Sequence, residues 1–283
     1  VVMEVELEAG GGSYDPAGIA AFLAARQATG CEEVERDALV VRRALALGGG
    51  TAVAELALGP RGATARLWLA RAADREAAVA VCRRLLALDV PAAEADAVLG
   101  ADPALGALVR AAPGRRLPGC VDGGELAVRA VLGQQVSVAA ARTLASRLVA
   151  RHGGPPCVVD GAPALRPFPT ARALLDGMAD DEPAMPNARR RALRAVLAAV
   201  DDGTLDLRPG VDADAARAAL VALPGIGPWT AEYVVARALG EPDAWPPKDL
   251  GLLRGLEALG LTEADAPRWR PFRTFAMAHL WLA

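Results

Sequence analysis

The segment Leu223-Pro224-Gly225-Ile226-Gly227-Pro228-Trp229-Thr230-Ala231 constrains this chain more than any other. It follows an amphipathic helical pattern that Asp212 opens as an N-cap, and Pro228 stands where the first turn of the next helix tolerates proline. Two helices therefore meet across a tight turn. Gly225 and Gly227 permit positive φ angles and leave the turn uncovered, so amide N–H groups of the turn and of the next helix can face one phosphate. A plain helix-loop-helix corner would explain a bare Gly-x-Gly. The whole string after a capped helix favours a phosphate grip made by Leu223, Pro224, Gly225, Ile226, Gly227 and Thr230.

Further on stands Trp245-Pro246-Pro247-Lys248-Asp249-Leu250. An aspartate after a proline-rich turn and ahead of an apolar helical pattern is a helix N-cap. The same position suits chemistry, because a helix N-terminus favours negative charge and a carboxylate anion stabilises a sugar cation as a base departs. Asp249 is the candidate catalytic residue. Most aromatics lie from Trp229 onward: Trp229, Tyr233, Trp245, Trp269, Phe272, Phe275 and Trp281. Trp229 and Tyr233 share one helix face that begins directly after the turn. Such a face can stack an extruded base, with a cation–π gain of about 1–2 kcal/mol for a cationic purine. Core packing explains any one of these rings equally well.

With 283 residues the chain has room for more than one domain. No apolar run reaches the roughly 18 residues of a membrane span and no secretory signal is evident, so the expectation is a soluble, cytoplasmic protein. Cys31, Cys82, Cys120 and Cys157 lack metal-ligand spacing and are expected as buried free thiols, with no metal held by side chains. A net charge of −3 argues mildly against nucleic acid, unless cationic residues gather on one face. Lys248 is the only lysine.

The early chain reads as strands over 2–7, 38–47, 51–58 and 63–70. One helix runs from Asp15-Pro16 through Gln27 and another from Asp74 to Leu88, giving a small antiparallel sheet backed by helices. From Asp102 onward the pattern is helical. Asp122 with Glu125 forms a capping-box signature, and Ser137, Thr170, Asn187 and Asp212 are expected N-caps. The last helices begin near Asp249 and Thr262. Arg189, Arg190, Arg191 and Arg194 read as a solvated helix face, His152 as a partner of a helix C-terminus, and His279 as a packed core residue. The fold class is mainly α with an N-terminal α+β domain.

Several stretches together resemble the bacterial 3-methyladenine DNA glycosylase II family, also called AlkA. They are Tyr14-Asp15 with Phe22-Leu-Ala-Ala-Arg26, Arg116 to Asp122, Val131-Leu-Gly-Gln-Gln-Val-Ser-Val138, the hairpin through Tyr233, Pro247-Lys-Asp249 and His279-Leu-Trp281. The resemblance implies a sheet domain like half of a TATA-binding protein over 1–98. Helical domains would follow over 99–122 with 241–283 and over 123–240, with a cleft between them. It puts Asp249 on the catalytic aspartate and Trp229, Tyr233 and Trp281 in the base pocket, with Leu250 where some members carry tyrosine. Gln135 falls on the residue that wedges into the duplex, often leucine in the family.

The expected activity is monofunctional hydrolysis of alkylated bases such as 3-methyladenine and 7-methylguanine from double-stranded DNA, leaving an abasic site. Bifunctional relatives place a lysine at the position of Trp229, and iron–sulfur relatives carry cysteines near the C-terminus, whereas none follows Cys157. No cofactor is expected beyond a monovalent cation on the hairpin carbonyls. The partner is DNA, the protein a monomer, and the non-methionine start Val1 would suit an upstream fused regulatory domain. The alternatives are a noncatalytic DNA clamp, and a uracil or mismatch glycosylase with hydrogen-bonding partners in its pocket.

Overall fold

The computed structural model describes residues 1–10, 12–178 and 184–282. Five antiparallel strands open the fold: β1 (Val2–Glu8), β2 (Glu32–Glu35), β3 (Val40–Leu47), β4 (Gly50–Gly59) and β5 (Gly62–Trp68), in the order β1-β5-β4-β3-β2. The sequence pattern shows four of them. The missed strand β2 is a short acidic edge whose Glu-Glu-Val-Glu lacks apolar alternation, and it exists because β3 offers it a ladder. One sheet face packs on α1 (Pro16–Arg26) and α2 (Arg75–Leu85) through Leu7, Ile19, Leu23, Leu45, Leu56, Leu67 and Cys82. The other face buries Ala44, Val53 and Trp68 under Leu165. α2 stops earlier than its apolar pattern suggests because Ala87 turns to φ +51°.

The rest is helical: α3 (Ala92–Gly100), α4 (Gly106–Ala111), α5 (Gly123–Leu132), α6 (Val138–His152), α7 (Ala171–Gly177), α8 (Asn187–Asp201), α9 (Ala213–Ala222), α10 (Pro228–Ala238), α11 (Leu250–Ala258) and α12 (Arg273–Trp281). Asp15, Asp122, Ser137, Thr170, Asp212 and Asp249 each accept a backbone N–H at a helix start, as their sequence positions predict. Other expectations change. Pro186 holds the cap position of α8, and Asn187 instead accepts from Arg190 within the helix. Thr262 and Asp265 cap a 3-10 helix over Glu263–Trp269 with Pro267 inside it, so the last α-helix begins later, at Arg273. Arg189 is buried and donates to the Leu132 carbonyl at 2.6 Å, so it does not belong to a solvated face. Cys157 is only half-buried, unlike the other three cysteines.

Two further cores organise these helices. One joins α5, α6, α8, α9 and α10 through Val131, Leu148, Leu193, Leu197, Leu220, Ile226 and Val234. The other joins α3, α4, α11 and α12 through Leu99, Leu105, Trp245, Leu256, Trp269 and Met277. Trp281 packs against both, so the seam between them runs through its indole.

Glu125 does not close a capping box with Asp122, because buried cations claim its carboxylate. Arg43 on β3 pairs with one oxygen, and Arg129 meets the other at 2.9 Å while reaching Glu32 on β2 at 2.8 Å. Burial pushes the Glu32 carboxyl up, but Arg129 and Arg43 outweigh it and hold it below its ordinary range. Charges buried this deeply add little net stability but are costly to separate, so they lock α5 to the sheet. Among the described residues no helix is long and apolar enough to cross a membrane.

His279 in α12 is fully buried, and neither ring nitrogen has a hydrogen-bond partner among the described residues. Burial pushes its pKa down to about 4. Its neutral form therefore contributes stability that is complete above the unfolded value near 6.5 and is lost as pH falls towards 4. We expect His279→Leu to lose less stability than the parent between pH 7 and pH 4, by up to roughly 3 kcal/mol, in urea unfolding across that range. Parallel losses in the two proteins would show that His279 is not the group that titrates.

Candidate active site

The hairpin between α9 and α10 takes the form its glycines allow. Gly225 sits at φ +79°, and a Cβ there would lie 2.7 Å from the Ala192 Cβ of α8, so conformation and packing both require glycine. Gly227 caps α10, and a Cβ on it would meet nothing within 4 Å, which leaves that side of the turn open. Ile226 is buried and pins the turn to the core, Leu223 is half-buried, and Pro224 is exposed. Thr230 is buried behind them, and Gln134 from the α5–α6 turn donates to its hydroxyl at 3.2 Å and to the Gly225 carbonyl at 3.0 Å. The hairpin is thereby fastened to the loop that carries Gln135.

Asp249 caps α11 and accepts three N–H groups. Oδ1 receives the Leu252 amide at 2.9 Å and the Trp281 indole at 2.8 Å, and Oδ2 receives the Trp229 indole at 2.8 Å. The carboxylate is thus oriented by α10, by α11 and by α12 at once. Gly251 makes room for this arrangement, since a Cβ there would come within 3.0 Å of the Trp281 ring.

The rings form walls. Trp229 and Tyr233 stack with centroids 5.4 Å apart and planes 6° from parallel, and Trp281 tilts against Tyr233 at 6.3 Å. Phe22 of α1 lies behind Trp281 at 6.3 Å, and the Arg26 guanidinium sits 3.7 Å above the Phe22 ring. Arg237 donates to the Tyr233 hydroxyl at 2.7 Å and to the carbonyls of Pro118 and Gly119, each at 2.8 Å. Burial alone pushes the Tyr233 phenol up, but Arg237 and Arg26 outweigh it and hold the phenol below its ordinary value. Burial likewise draws the Arg26 guanidinium down.

Asp249, Trp229, Tyr233, Trp281, Arg26 and Arg237 line an open cleft of about 1040 Å³ that also includes Gln134, Gln135, Lys248 and Leu250. Gln135 is exposed on the cleft wall at φ +56°, beside the exposed Val136 and Val138. Leu250 is 70% exposed, which puts it at the mouth of the cleft and outside the aromatic stack. Lys248 is exposed too, its side chain on the rim and its amide donating to Glu263 at 2.8 Å. Trp245, Trp269, Phe272 and Phe275 pack in the neighbouring core. The cleft therefore combines a fixed carboxylate, aromatic walls and an open glycine turn at its edge.

Sequence reasoning missed four contributors: Gln134, Phe22, Arg26 and Arg237. Phe22 and Arg26 are separated by one helical turn, the spacing of a shared face, but nothing local ties that face to a site formed by the far end of the chain.

The AlkA N-terminal domain family model matches residues 11–122. A Mycobacterium tuberculosis protein named "Probable bifunctional transcriptional activator/DNA repair enzyme AlkA" is 44% identical over 274 residues, which is 93% of this chain and 54% of that protein. The chain is similar to the AlkA family along nearly its full length. It spans about half the length of that relative. A second relative, DNA-3-methyladenine glycosylase 2 of Escherichia coli, is 39% identical over 184 residues, 63% of this chain and 64% of that one. The fold is shared with the 3-methyladenine DNA-glycosylase from Archaeoglobus fulgidus at a TM-score of 0.81 and 22% identity, over 99% of this chain and 97% of that one. The chain thus has the helix-hairpin-helix glycosylase fold, an antiparallel sheet followed by helical domains.

A double-mutant cycle between Trp281→Phe and Asp249→Ala tests the bond from indole to carboxylate while keeping the ring wall. We expect a coupling of about 1–2 kcal/mol in urea unfolding, the scale of a hydrogen bond to a charged group. Strict additivity would mean that the bond does not form in solution.

Proposed function

We propose that the chain is a monofunctional DNA glycosylase that hydrolyses alkylated bases, 3-methyladenine and 7-methylguanine among them, from double-stranded DNA. The observation that carries this reading is the Asp249 carboxylate, held by the indoles of Trp229 and Trp281 that also wall the cleft. One set of side chains both stacks a base and aims an anion at its sugar.

The hairpin amides around Gly225 and Gly227 grip a backbone phosphate, which lets a chain of net charge −3 hold DNA without a broad basic surface. The damaged nucleotide turns out of the duplex into the cleft, and Gln135 fills the gap it leaves. Alkylation at N3 or N7 makes the purine cationic, so it leaves as a neutral molecule and little acid catalysis is required. Asp249 stabilises the sugar cation and takes the proton of the attacking water. Lyase chemistry requires an amine that attacks the sugar carbon. Trp229 occupies the first turn of α10, and Lys248 lies exposed on the cleft rim, which supports hydrolysis alone.

With enzyme in excess over methylated duplex DNA, Asp249→Asn should slow base release at least a hundredfold while still binding DNA. That loss corresponds to about 3 kcal/mol of transition-state stabilisation. Chromatography of the released bases and a parallel binding assay read the two quantities. Tight DNA binding with no base released by either protein would make the chain a noncatalytic clamp. Borohydride trapping of protein to an abasic duplex should yield no covalent adduct.

A further inference from the structure

A second open groove, of about 640 Å³, adjoins the cleft, and Arg142 of α6 lines both. Three elements build it: α6, the turn between α1 and β2, and the segment ahead of α7. They are bonded to one another. The Ser146 hydroxyl accepts the Thr29 amide at 2.9 Å and donates to the Arg142 carbonyl at 2.9 Å, and the Arg166 amide donates to the Gly30 carbonyl at 2.9 Å. Gly30 turns there at φ +93°, and a Cβ on it would press on Val149 at 3.2 Å. The groove is thus a fixed feature of the join between the sheet domain and the helices.

Its charge is one-sided. Arg142, Arg147 and Arg166 line it, and no acidic residue does. Among the described residues none of these three guanidiniums is paired with a carboxylate, whereas those of Arg42, Arg83, Arg115, Arg129, Arg217 and Arg273 all are. In a chain of net charge −3, three unpaired cations in one groove concentrate positive potential where an anionic polymer can reach it. Their spacing suits a row of phosphates. Arg142 and Arg147 are about 7.5 Å apart along the helix axis, and the Arg166 side chain lies against Gly153 at the far end of α6, where a Cβ would come within 2.7 Å of its Cδ. From Arg142 to Gly153 the helix runs about 16 Å, the length of about five nucleotides of one strand in a duplex.

We propose that this groove holds the sugar–phosphate backbone of duplex DNA flanking the damaged nucleotide, as a second grip apart from the hairpin. Charge complementarity and continuity with the cleft through Arg142 carry the assignment, which rests on the glycosylase reading above. α6 starts three residues after Gln135, so a backbone laid along it leads away from the point where the base is turned out. Contacts to phosphate carry no sequence information, but they fix the register and orientation of the duplex over the cleft.

The test compares two duplexes that each contain a stable abasic analogue. One is ordinary DNA, and the other carries uncharged methylphosphonate linkages in its flanks while keeping the linkages next to the abasic site charged. Binding is measured across a salt series for the parent chain, for Arg147→Gln with Arg166→Gln, and for the corresponding pair of lysine substitutions. On ordinary DNA the glutamine pair should bind roughly tenfold more weakly at about 0.15 M salt, with the slope of log Kd against log salt lowered by about 2, one for each lost phosphate contact. The lysine pair should keep most of that slope. On the methylphosphonate duplex the parent and the glutamine pair should bind alike, and base release at saturating enzyme should be unchanged. Should the pair prove unstable in urea unfolding, Arg147→Gln alone, at an exposed helix position, should lower the slope by about 1. An unchanged slope, or an equal loss on both duplexes, would overturn the proposal and leave the glycosylase reading intact. A parent chain that binds neither duplex and releases no base would sink the glycosylase reading itself.

Discussion

The carboxylate of Asp249 is where the fold's separate parts come to bear on one another. A helix-capping aspartate ordinarily satisfies its own helix and nothing more. Here the cap bond to Leu252 fixes only one direction of Oδ1, and the indoles of Trp229 and Trp281 fix the rest from α10 and α12. Trp281, half-buried, packs against both helical cores, so the position of the carboxylate depends on how those cores meet. A shift of either core would carry one indole out of hydrogen-bond reach and let the carboxylate turn.

The sheet domain is part of the same construction. The buried charges of Arg43, Glu32, Glu125 and Arg129 join β2 and β3 to α5, and α5 leads directly into the turn that carries Gln134 and Gln135. Gln134 then fastens that turn to the hairpin. The same domain supplies α1, whose Phe22 and Arg26 back the aromatic walls. The hairpin, the turn that carries Gln135 and the back of the cleft are thus tied to the sheet by one run of polar and aromatic contacts. Such contacts specify geometry more than they add stability, because separated partners would be stranded without water.

Much of this was legible in the chain because short-range rules produced it. Asp122, Ser137, Thr170, Asp212 and Asp249 are caps through bonds to amides three residues on, and Pro228 and Gly225 of the hairpin act through their own backbone angles. The errors arose where a tertiary partner overrode a local preference. Glu125 fits a capping box until Arg43 and Arg129 claim its carboxylate. Arg189 fits a solvated face until the Leu132 carbonyl takes it inside. The strand β2 has no signal of its own and forms on the edge that β3 presents.

The sequence by itself determined the elements, the hairpin, the candidate carboxylate and the stacked pair Trp229 and Tyr233, since each depends on residues within a turn or two of one another. Only the tertiary structure decided that Leu250 stands at the mouth of the cleft, that Trp229 and Trp281 orient Asp249 through their N–H groups, and that Arg26 enters the pocket from the far end of the chain. These facts depend on how separate cores pack and on which buried donors find which acceptors. Distances of that kind, across hundreds of residues, leave no periodic trace in the chain.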